Sequence, residues 1–365
     1  MTTRQFPAHL RKIEINCSRE RVRSLSFTKN GKQVLSSGID GVIRRWRVAD
    51  GQKVGKPIPT EGAEVFAAIL SPDGKWLVYA FQRLGDRRAE VRVLDARTHE
   101  KVFDIKDHKD RVPSVDISAD STRFATGSFD KSAAIWNMTT GELLVGPMQH
   151  EDVVVTVQFS PNGDRIATAT AAENPDNPRT AKSIRIYDSE NGQLLFDIPF
   201  RIWRLVTSLA WSSDGRQLFA ASYSEAKCFD TLSGSLLIKW SVPGGGRVAS
   251  VALSRNQKFV VIAAFNSLSF WNTSTHRKIG PTIEHTSSVW SIRLSPDDDY
   301  IATGEDNGKV TLRSLRGHPS YLVFDHKCKW STWQICRSKH LMVYRTSCPV
   351  CTSAIQYSSS GCRET

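Results

Sequence analysis

Long apolar runs are missing from this 365-residue chain. No stretch of eighteen consecutive apolar residues occurs, so the sequence offers no membrane span. The first residues, MTTRQFPAHLRKIEINCS, include basic residues but neither an apolar core nor a small-residue cleavage site. We therefore expect no secretory signal. Together these absences predict an intracellular protein, in the cytoplasm or the nucleus, that does not bind to membranes.

Cysteine is scarce in most of the chain. Only Cys17 and Cys228, two of the seven cysteines, precede residue 325. Two isolated thiols do not form the dense framework of a disulfide-stabilised protein. We expect both of them to be reduced and partly buried.

Excess charge is absent from the body of the chain. The net charge is +12, but residues 1–32 contribute +6 and residues 326–365 contribute +5, which leaves residues 33–325 at +1. A nucleic-acid groove needs a basic stripe on the folded body. The distribution does not favour nucleic acid, although the basic ends together with Arg83, Arg87 and Arg88 leave an RNA- or phosphate-binding function open.

What the sequence does contain is an internal repeat of about 40–50 residues. Each unit opens with a valine and alternating apolar residues, and then reaches a Ser or Thr and a tight turn, as in VVTVQFSPNG. Consecutive units are separated by 43, 47, 42, 52, 42 and 41 residues, and they begin at Val22, Val65, Val112, Val154, Val206, Val248 and Val289.

Each unit predicts four strands. The opening strand is followed by a second one such as RFATGS, by a third that ends in an aromatic and a polar residue such as IWN, and by a variable fourth such as KVFDI. There is almost no helix signal. The pattern predicts an all-β fold of seven four-stranded antiparallel blades arranged as a propeller, which protects strand edges by closing on itself.

The aromatic–polar pairs that end the third strands connect this chain with a known family. At Trp136-Asn137, Tyr187-Asp188, Phe229-Asp230 and Trp271-Asn272 the chain closely resembles the WD-repeat family of seven-bladed propellers, in particular degenerate fungal members. The resemblance covers roughly residues 11–316. It implies a structural hydrogen-bond relay in the third unit, formed by His108, Thr126, Asp130 and Trp136. A His–Asp pair could also be interpreted as a catalytic dyad, but a relay inside a blade leaves no space for a substrate.

The resemblance also implies how the ring closes. The last unit supplies only three strands, and the segment from Lys12 to Ile15 aligns with the fourth-strand segment that ends at Ile105. The N-terminal strand is therefore expected to complete blade seven, with the segment from Tyr321 to Phe324 as a rival. We expect a closing segment at 1–21, the propeller at 22–316, and an irregular, flexible, Cys-rich tail at 317–365.

Binding by members of this family occurs on the face where the loops between strands two and three open. Two of these loops are expanded, FQRLGDRRAE and AAENPDNPRTAKS, and neutral insertion is an equal alternative for both. Residues beside the leading valine or the turn aspartate are expected to project onto that face. They form a candidate partner-binding arc across blades seven, one, two and three: Arg23, Ile39, Phe66, Phe129 and Trp290.

Catalytic signals are weak. No serine elbow, metalloprotease motif or carboxylate pair stands out, and no helix follows the PGGGR segment to bind phosphate. We expect a monomeric, non-catalytic scaffold for one or more protein partners, with no cofactor. The RNA- or phosphate-binding propeller is the alternative, and an enzyme is the third interpretation.

The tail holds the remaining cysteines, including the CxxC pair Cys348–Cys351. Four thiolates could hold zinc, but their spacing matches no usual zinc finger. The weak metal candidates are Cys328, Cys336, Cys348 and Cys351.

Overall fold

The computed structural model describes residues 11–86, 88–171, 183–199, 208–222, 225–241 and 248–316. The proposed tail 317–365, with the rival segment and the four candidate cysteines, lies outside these residues, as do Arg87 and most of the AAENPDNPRTAKS loop.

Seven four-stranded antiparallel sheets form an all-β propeller, as predicted, and they are called blades one to seven in chain order. Blade one contains β2 (Val22–Phe27), β3 (Gln33–Gly38), β4 (Val42–Arg47) and β5 (Ile58–Pro59). Blade two contains β6 (Glu64–Leu70), β7 (Trp76–Gln82), β8 (Glu90–Asp95) and β9 (Lys101–Ile105). Blade three contains β10 (Ser114–Ile117), β11 (Arg123–Gly127), β12 (Ser132–Asn137) and β13 (Leu143–Gln149).

The remaining blades repeat this order. Blade four contains β14 (Val153–Phe159), β15 (Arg165–Ala171), β16 (Ser183–Asp188) and β17 (Leu194–Pro199). Blade five contains β18 (Leu209–Trp211), β19 (Gln217–Ser222), β20 (Glu225–Asp230) and β21 (Leu236–Ser241). Blade six contains β22 (Val248–Leu253), β23 (Phe259–Ala264), β24 (Ser267–Asn272) and β25 (Lys278–Glu284). Blade seven contains β26 (Val289–Leu294), β27 (Tyr300–Glu305), β28 (Lys309–Ser314) and, from the other end of the chain, β1 (Lys12–Asn16).

The N-terminal strand closes the ring, as the sequence alignment predicted. β1 pairs antiparallel with β28, and Ile15 lies opposite Val310 in the register. The Cβ-free Gly51 follows β4 at a positive φ of 74°, and a side chain there would meet Ile13 at 2.5 Å. This turn of blade one therefore packs directly on the closing strand.

Apolar packing holds the ring together at every interface between blades. The described residues form seven core clusters, each of which joins one blade to the next. At the closure, Ile15 and Leu312 of blade seven pack against Leu25 and Trp46 of blade one. A repeat cannot bury its apolar face alone, so stability depends on neighbouring blades.

Polar contacts on the second strands add to this packing. Arg123 of blade three donates to the backbone oxygen of Gly163 in blade four at 2.8 Å, and Arg165 of blade four donates to that of Gly215 in blade five at 2.9 Å. Each guanidinium also lies over an aromatic ring of the next blade, at 5.6 Å from Phe159 or 5.4 Å from Trp211. The same contact is thus used at two successive interfaces.

The opening strand of blade three starts later than the repeat predicts. The pattern places the opening strand of blade three at Val112, whereas β10 begins at Ser114. Pro113 has no backbone N–H to contribute to the sheet, which explains the shorter strand. The described part of the chain contains no helix that could span a membrane.

Candidate functional site

The four relay residues of blade three form a continuous chain of buried hydrogen bonds. Nδ1 of His108 lies 2.9 Å from Oδ2 of Asp130, and its Nε2 lies 2.7 Å from Oγ1 of Thr126. Nε1 of Trp136 donates to the same Oγ1 at 2.9 Å. Each group meets a partner that it would otherwise lack inside the blade.

The relay has the properties of a structural element. Burial would raise the pKa of Asp130, but hydrogen bonds from His108 and Ser132 outweigh that effect and hold the pKa far below its ordinary value. His108 is 4% exposed and Thr126 is fully buried. A nucleophile in that position cannot be reached by a substrate, so the geometry does not support the dyad interpretation.

Blade four contains a second relay that the sequence analysis missed. Nε2 of His150 lies 2.9 Å from Oγ1 of Thr168 and 3.2 Å from the hydroxyl of Tyr187. Burial lowers the pKa of His150 to about 4. The signal was available, because His150 precedes Val154 by the same four positions that separate His108 from Val112.

Blade seven has its acid at an unexpected position. The sequence analysis did not single out Glu305, yet its Oε1 lies 3.0 Å from Nδ1 of His285 and accepts a hydrogen bond from Thr311 at 2.8 Å. Nε2 of His285 and Nε of Arg313 are buried without an acceptor. Glu305 is the last residue of β27 and is 1% exposed. An acid at the end of a second strand was the signal that the sequence offered for this partner of His285.

A repeated bulge explains how the arc residues are presented. In five blades the pairing of strands one and two skips one residue directly after the leading valine. A bulge bends the strand and redirects the side chain of its extra residue. The skipped residues include Arg23, Phe66 and Trp290, which are three of the five predicted arc residues.

The structure brings the arc residues of blades one and two together. The Arg23 guanidinium lies 4.5 Å from the ring centroid of Phe66, which is 8% exposed. Ile39 is half-buried beside the turn of blade one. Phe129 is half-buried and packs against the apolar cluster that contains Val153. These side chains are therefore less exposed to solvent than those of an open apolar patch would be.

Arginines cover the aromatic rings of the arc. Arg21 stacks on Trp290 with 3.7 Å between its Cζ and the ring centroid, and Arg111 lies 6.0 Å from Phe66. The sequence analysis did not name Arg21 or Arg111, although each stands directly before a leading valine. The exposed surface of the arc is consequently made of guanidinium edges as well as aromatic rings.

A cleft of about 360 Å³ adjoins the arc. The β7–β8 loop forms one wall, where Leu84 is 94% exposed, and Arg111 and Phe129 form another. Arg83 also lines the cleft, but its side chain is paired with Glu61 and Glu90. This pairing leaves little net charge on the loop arginine that the RNA-binding alternative uses.

Reactive or metal-binding groups are not assembled in the described ranges. Within them, no group of three His, Cys, Asp or Glu side chains could hold a metal ion. Cys17 and Cys228 are unpaired and buried, and burial raises the pKa of Cys228 to about 12. A thiol with that pKa stays protonated and unreactive at neutral pH.

The chain matches one known family over three parts of its length. A family model described as "WD domain, G-beta repeat" matches residues 4–47, 99–137 and 277–314. The second match falls on β9 of blade two and on blade three with its complete relay, and the third on β25 of blade six and on blade seven.

Several curated proteins are similar at low identity. The chain is 24% identical over 287 residues to "Intraflagellar transport protein 122 homolog" of Xenopus tropicalis, a match that covers 69% of this chain and 23% of that protein. It is 22% identical over 359 residues to "Protein HIR1" of Eremothecium gossypii, covering 83% of this chain and 41% of the relative. It is 26% identical over 282 residues to "Guanine nucleotide-binding protein subunit beta-2" of Nicotiana tabacum, covering 71% of each. The chain thus spans less than half the length of the first two relatives.

Proposed function

We propose that this chain, a seven-bladed WD-repeat propeller, is a non-catalytic scaffold that binds a protein partner. The partner binds on the face of the ring where the bulges of the first strands lie. The observation that carries the proposal is the arc of arginine-capped aromatics beside an open cleft. Interface hot spots are enriched in Trp, Tyr and Arg and lie next to pockets. The arc and the cleft combine these features on one face.

The binding surface consists of the arc and the neighbouring cleft wall. Blades seven, one, two and three are contiguous in the closed ring, so their loops present one surface. Its members are Arg23, Ile39, Phe66, Phe129, Trp290, Leu84 and Arg111. Arg23 is held against Phe66 and Trp290 against Arg21, so both side chains are fixed by their neighbours.

A non-catalytic role is supported by the buried histidines. Both His–carboxylate pairs of the described residues, His108–Asp130 and His285–Glu305, lie inside blades with their acids already hydrogen-bonded. General acid–base catalysis needs a group that can reach a substrate proton. Neither pair meets that condition.

The relatives agree with a role in assemblies. One is named a "subunit", and another, from Xenopus tropicalis, is named "U3 small nucleolar RNA-associated protein 15 homolog". We extend this role to the present chain as a monomeric adaptor of the cytoplasm or the nucleus, without a cofactor.

The test compares two exposed leucines on opposite faces. Leu84→Asp places a charge in the cleft, whereas Leu232→Asp changes a 64%-exposed leucine in the β20–β21 turn on the other face. Tagged full-length chains carrying either change are crosslinked in the native cell and purified, and the recovered proteins are identified by mass spectrometry. Circular dichroism and thermal unfolding confirm that both variants fold like the wild type.

We expect at least one protein to be recovered with the wild type and with Leu232→Asp but lost with Leu84→Asp. A hot-spot contact contributes about 2 kcal/mol or more, which is roughly a thirtyfold change in affinity. Equal recovery by all three chains would refute the proposed surface. Recovery that is lost only with Leu232→Asp would move the partner to the opposite face.

A further inference from the structure

The face of the ring beside the leading valines, here called the mouth, carries more positive than negative charge at the positions that flank these valines. Two residues flank the leading valine of each opening strand, and both positions are described in five blades. Their charged members are Arg21, Arg23 and Arg111, against the single acid Glu64. The three arginines belong to blades one and three, and Glu64 belongs to the blade between them.

The guanidinium groups of Arg21 and Arg111 are each close enough to Arg23 to affect its pKa. Burial lowers the pKa of Arg23, and the positive charges of Arg21 and Arg111 lower it further, while Glu64 opposes them. Two carboxylates, Glu64 on Arg23 and Asp306 on Arg21, therefore face three cations. An added anion at this position would relieve their mutual repulsion.

Within the described ranges, each guanidinium donates a hydrogen bond through one of its nitrogens only. Arg21 donates through Nε to Asp306, Arg23 through Nη2 to Glu64 at 3.1 Å, and Arg111 through Nε to the neutral Oε1 of Gln82 at 3.1 Å. The structure gives their other nitrogens no acceptor among the described residues. A guanidinium is a planar fork that can bind a carboxylate through two parallel hydrogen bonds.

The aromatic rings keep these forks in place before any ligand binds. Arg21 lies on Trp290 and Arg23 lies on Phe66, at 3.7 and 4.5 Å from the ring centroids. Preorganised side chains lose less conformational freedom on binding. The mouth is thus prepared for an anionic group at fixed positions.

Three acids line the cleft; Glu64 pairs with Arg23, and the other two accept hydrogen bonds from nearby backbone. Oδ1 of Asp86 accepts the N–H of Arg88 at 2.9 Å, and Oδ1 of Asp110 accepts the N–H of Arg111 at 2.7 Å. Between them the cleft offers the apolar surfaces of Leu84 and Phe129. An apolar side chain suits the cleft better than a second acid would.

We propose that the partner presents an acidic peptide segment, with a carboxylate bound by Arg21, Arg23 and Arg111 and an adjacent apolar side chain in the cleft against Leu84 and Phe129. This inference rests on the proposed function. It specifies the chemistry of the partner at the same surface.

The test is selection of random dodecapeptides displayed on phage against the full-length protein. Selected peptides are synthesised together with copies in which Asp and Glu are replaced by Asn and Gln. Their affinities, and that of a uridine oligonucleotide, are measured for the wild type, for Arg111→Gln, for Arg21→Gln, for Leu84→Asp, and for the control Arg97→Gln. Arg97 is an exposed arginine of the β8–β9 turn on the opposite face.

We expect selected peptides to be rich in Asp and Glu beside an apolar residue. Arg111→Gln, Arg21→Gln and the amide copies should each weaken binding by about tenfold or more, because charge-assisted hydrogen bonds are among the stronger ones. Arg97→Gln should leave the affinity unchanged. Thermal unfolding shows whether Arg21→Gln, which leaves Asp306 without its partner, still folds, and Arg111→Gln has no such carboxylate to expose.

Several outcomes would overturn the inference. They are selection of basic or neutral peptides, equal binding by the Arg111→Gln protein and the wild type, failure to select any peptide, and tighter binding of a uridine oligonucleotide to the same arginines. If neutral peptides bind and are lost with Leu84→Asp, the proposed function stands and the acidic partner is wrong. If neither Leu84→Asp nor Arg111→Gln changes any binding, both proposals fail.

Discussion

Blades three and seven solve the same packing problem in different ways. In blade three, Thr126 bonds both His108 and Trp136, so every member of the relay has a partner. In blade seven, Glu305 takes over one side of His285, while Nε2 of that histidine has no acceptor. Both sheets nevertheless have four strands and a full apolar interface on each side. The comparison teaches that the blade shape depends on main-chain pairing and apolar clusters, and that the polar relay adds stability where it is complete.

The largest test of this comparison replaces the third-strand residue in each blade. Trp136→Ala removes a 3%-exposed indole that stacks 6.5 Å from Phe124, so we expect a loss of about 3–5 kcal/mol in the free energy of unfolding. Arg313→Ala removes a side chain whose Nε has no acceptor, and should cost about 1 kcal/mol or less. Urea unfolding of both variants measures the difference. Similar losses would show that the two blades depend equally on this position.

The pH at which a histidine becomes protonated depends on its surroundings, and His150 of blade four is the clearest case. The bonds of His150 go to the carbonyl of Met148 and the hydroxyls of Thr168 and Tyr187, and its pKa is lowered to about 4 in the folded state. The unfolded chain binds the proton already below about pH 6.5. Stability is therefore present above that pH and is lost as the pH falls towards 4, by about 3 kcal/mol.

The measurement is unfolding free energy against pH for the wild type and His150→Asn. Carboxylates also weaken the protein in acid, but they are the same in both chains. The advantage of the wild type over the variant should shrink between pH 6.5 and 4. An advantage that stays constant across this range would mean that His150 keeps its ordinary pKa.

The hydroxyl of the second strand gives a smaller effect with a matched control. Thr126→Val leaves Nε2 of His108 and Nε1 of Trp136 without a partner, so we expect a loss of about 2 kcal/mol. Thr303→Val in blade seven removes only one long contact, at 3.4 Å to the carbonyl of Thr311, and should cost less than about 1 kcal/mol. Thermal unfolding under identical conditions compares the two. A larger effect of Thr303→Val would contradict the difference between the blades.

The smallest expected effect is in blade one, where the relay keeps the bond between Ser36 and Trp46. Nε1 of Trp46 donates to Oγ of Ser36 at 2.8 Å. Ser36→Ala should cost about 1 kcal/mol, because one buried donor loses its acceptor. The same unfolding measurement applies, with Ser37→Ala as the control, since Oγ of Ser37 is buried without a partner. Equal losses of unfolding free energy from the two substitutions would show that the bond to the Trp46 indole does not cause the effect of Ser36→Ala.

Much of the fold could be predicted because its signals are local. The alternation after each leading valine specifies strands, the turn residues end them, and seven copies at a nearly constant spacing specify the number of blades. The alignment of β1 with an internal fourth strand was enough to predict ring closure. The details that differ, such as the later start of β10 after Pro113, follow from one residue that breaks the local rule.

The sequence by itself determined the all-β class, the seven repeats and the closing strand, because these depend on periodic patterns along the chain. The residues of the blade-three relay followed from the resemblance to WD repeats. Only the tertiary structure decided which side chains meet across blades. Arg21 and Trp290 are far apart in the chain and 3.7 Å apart in the ring, and Glu305 becomes the partner of His285 because β27 ends beside it. Such contacts depend on the closure of the ring and on side-chain directions set by bulges, and no periodic pattern in the chain carries that information.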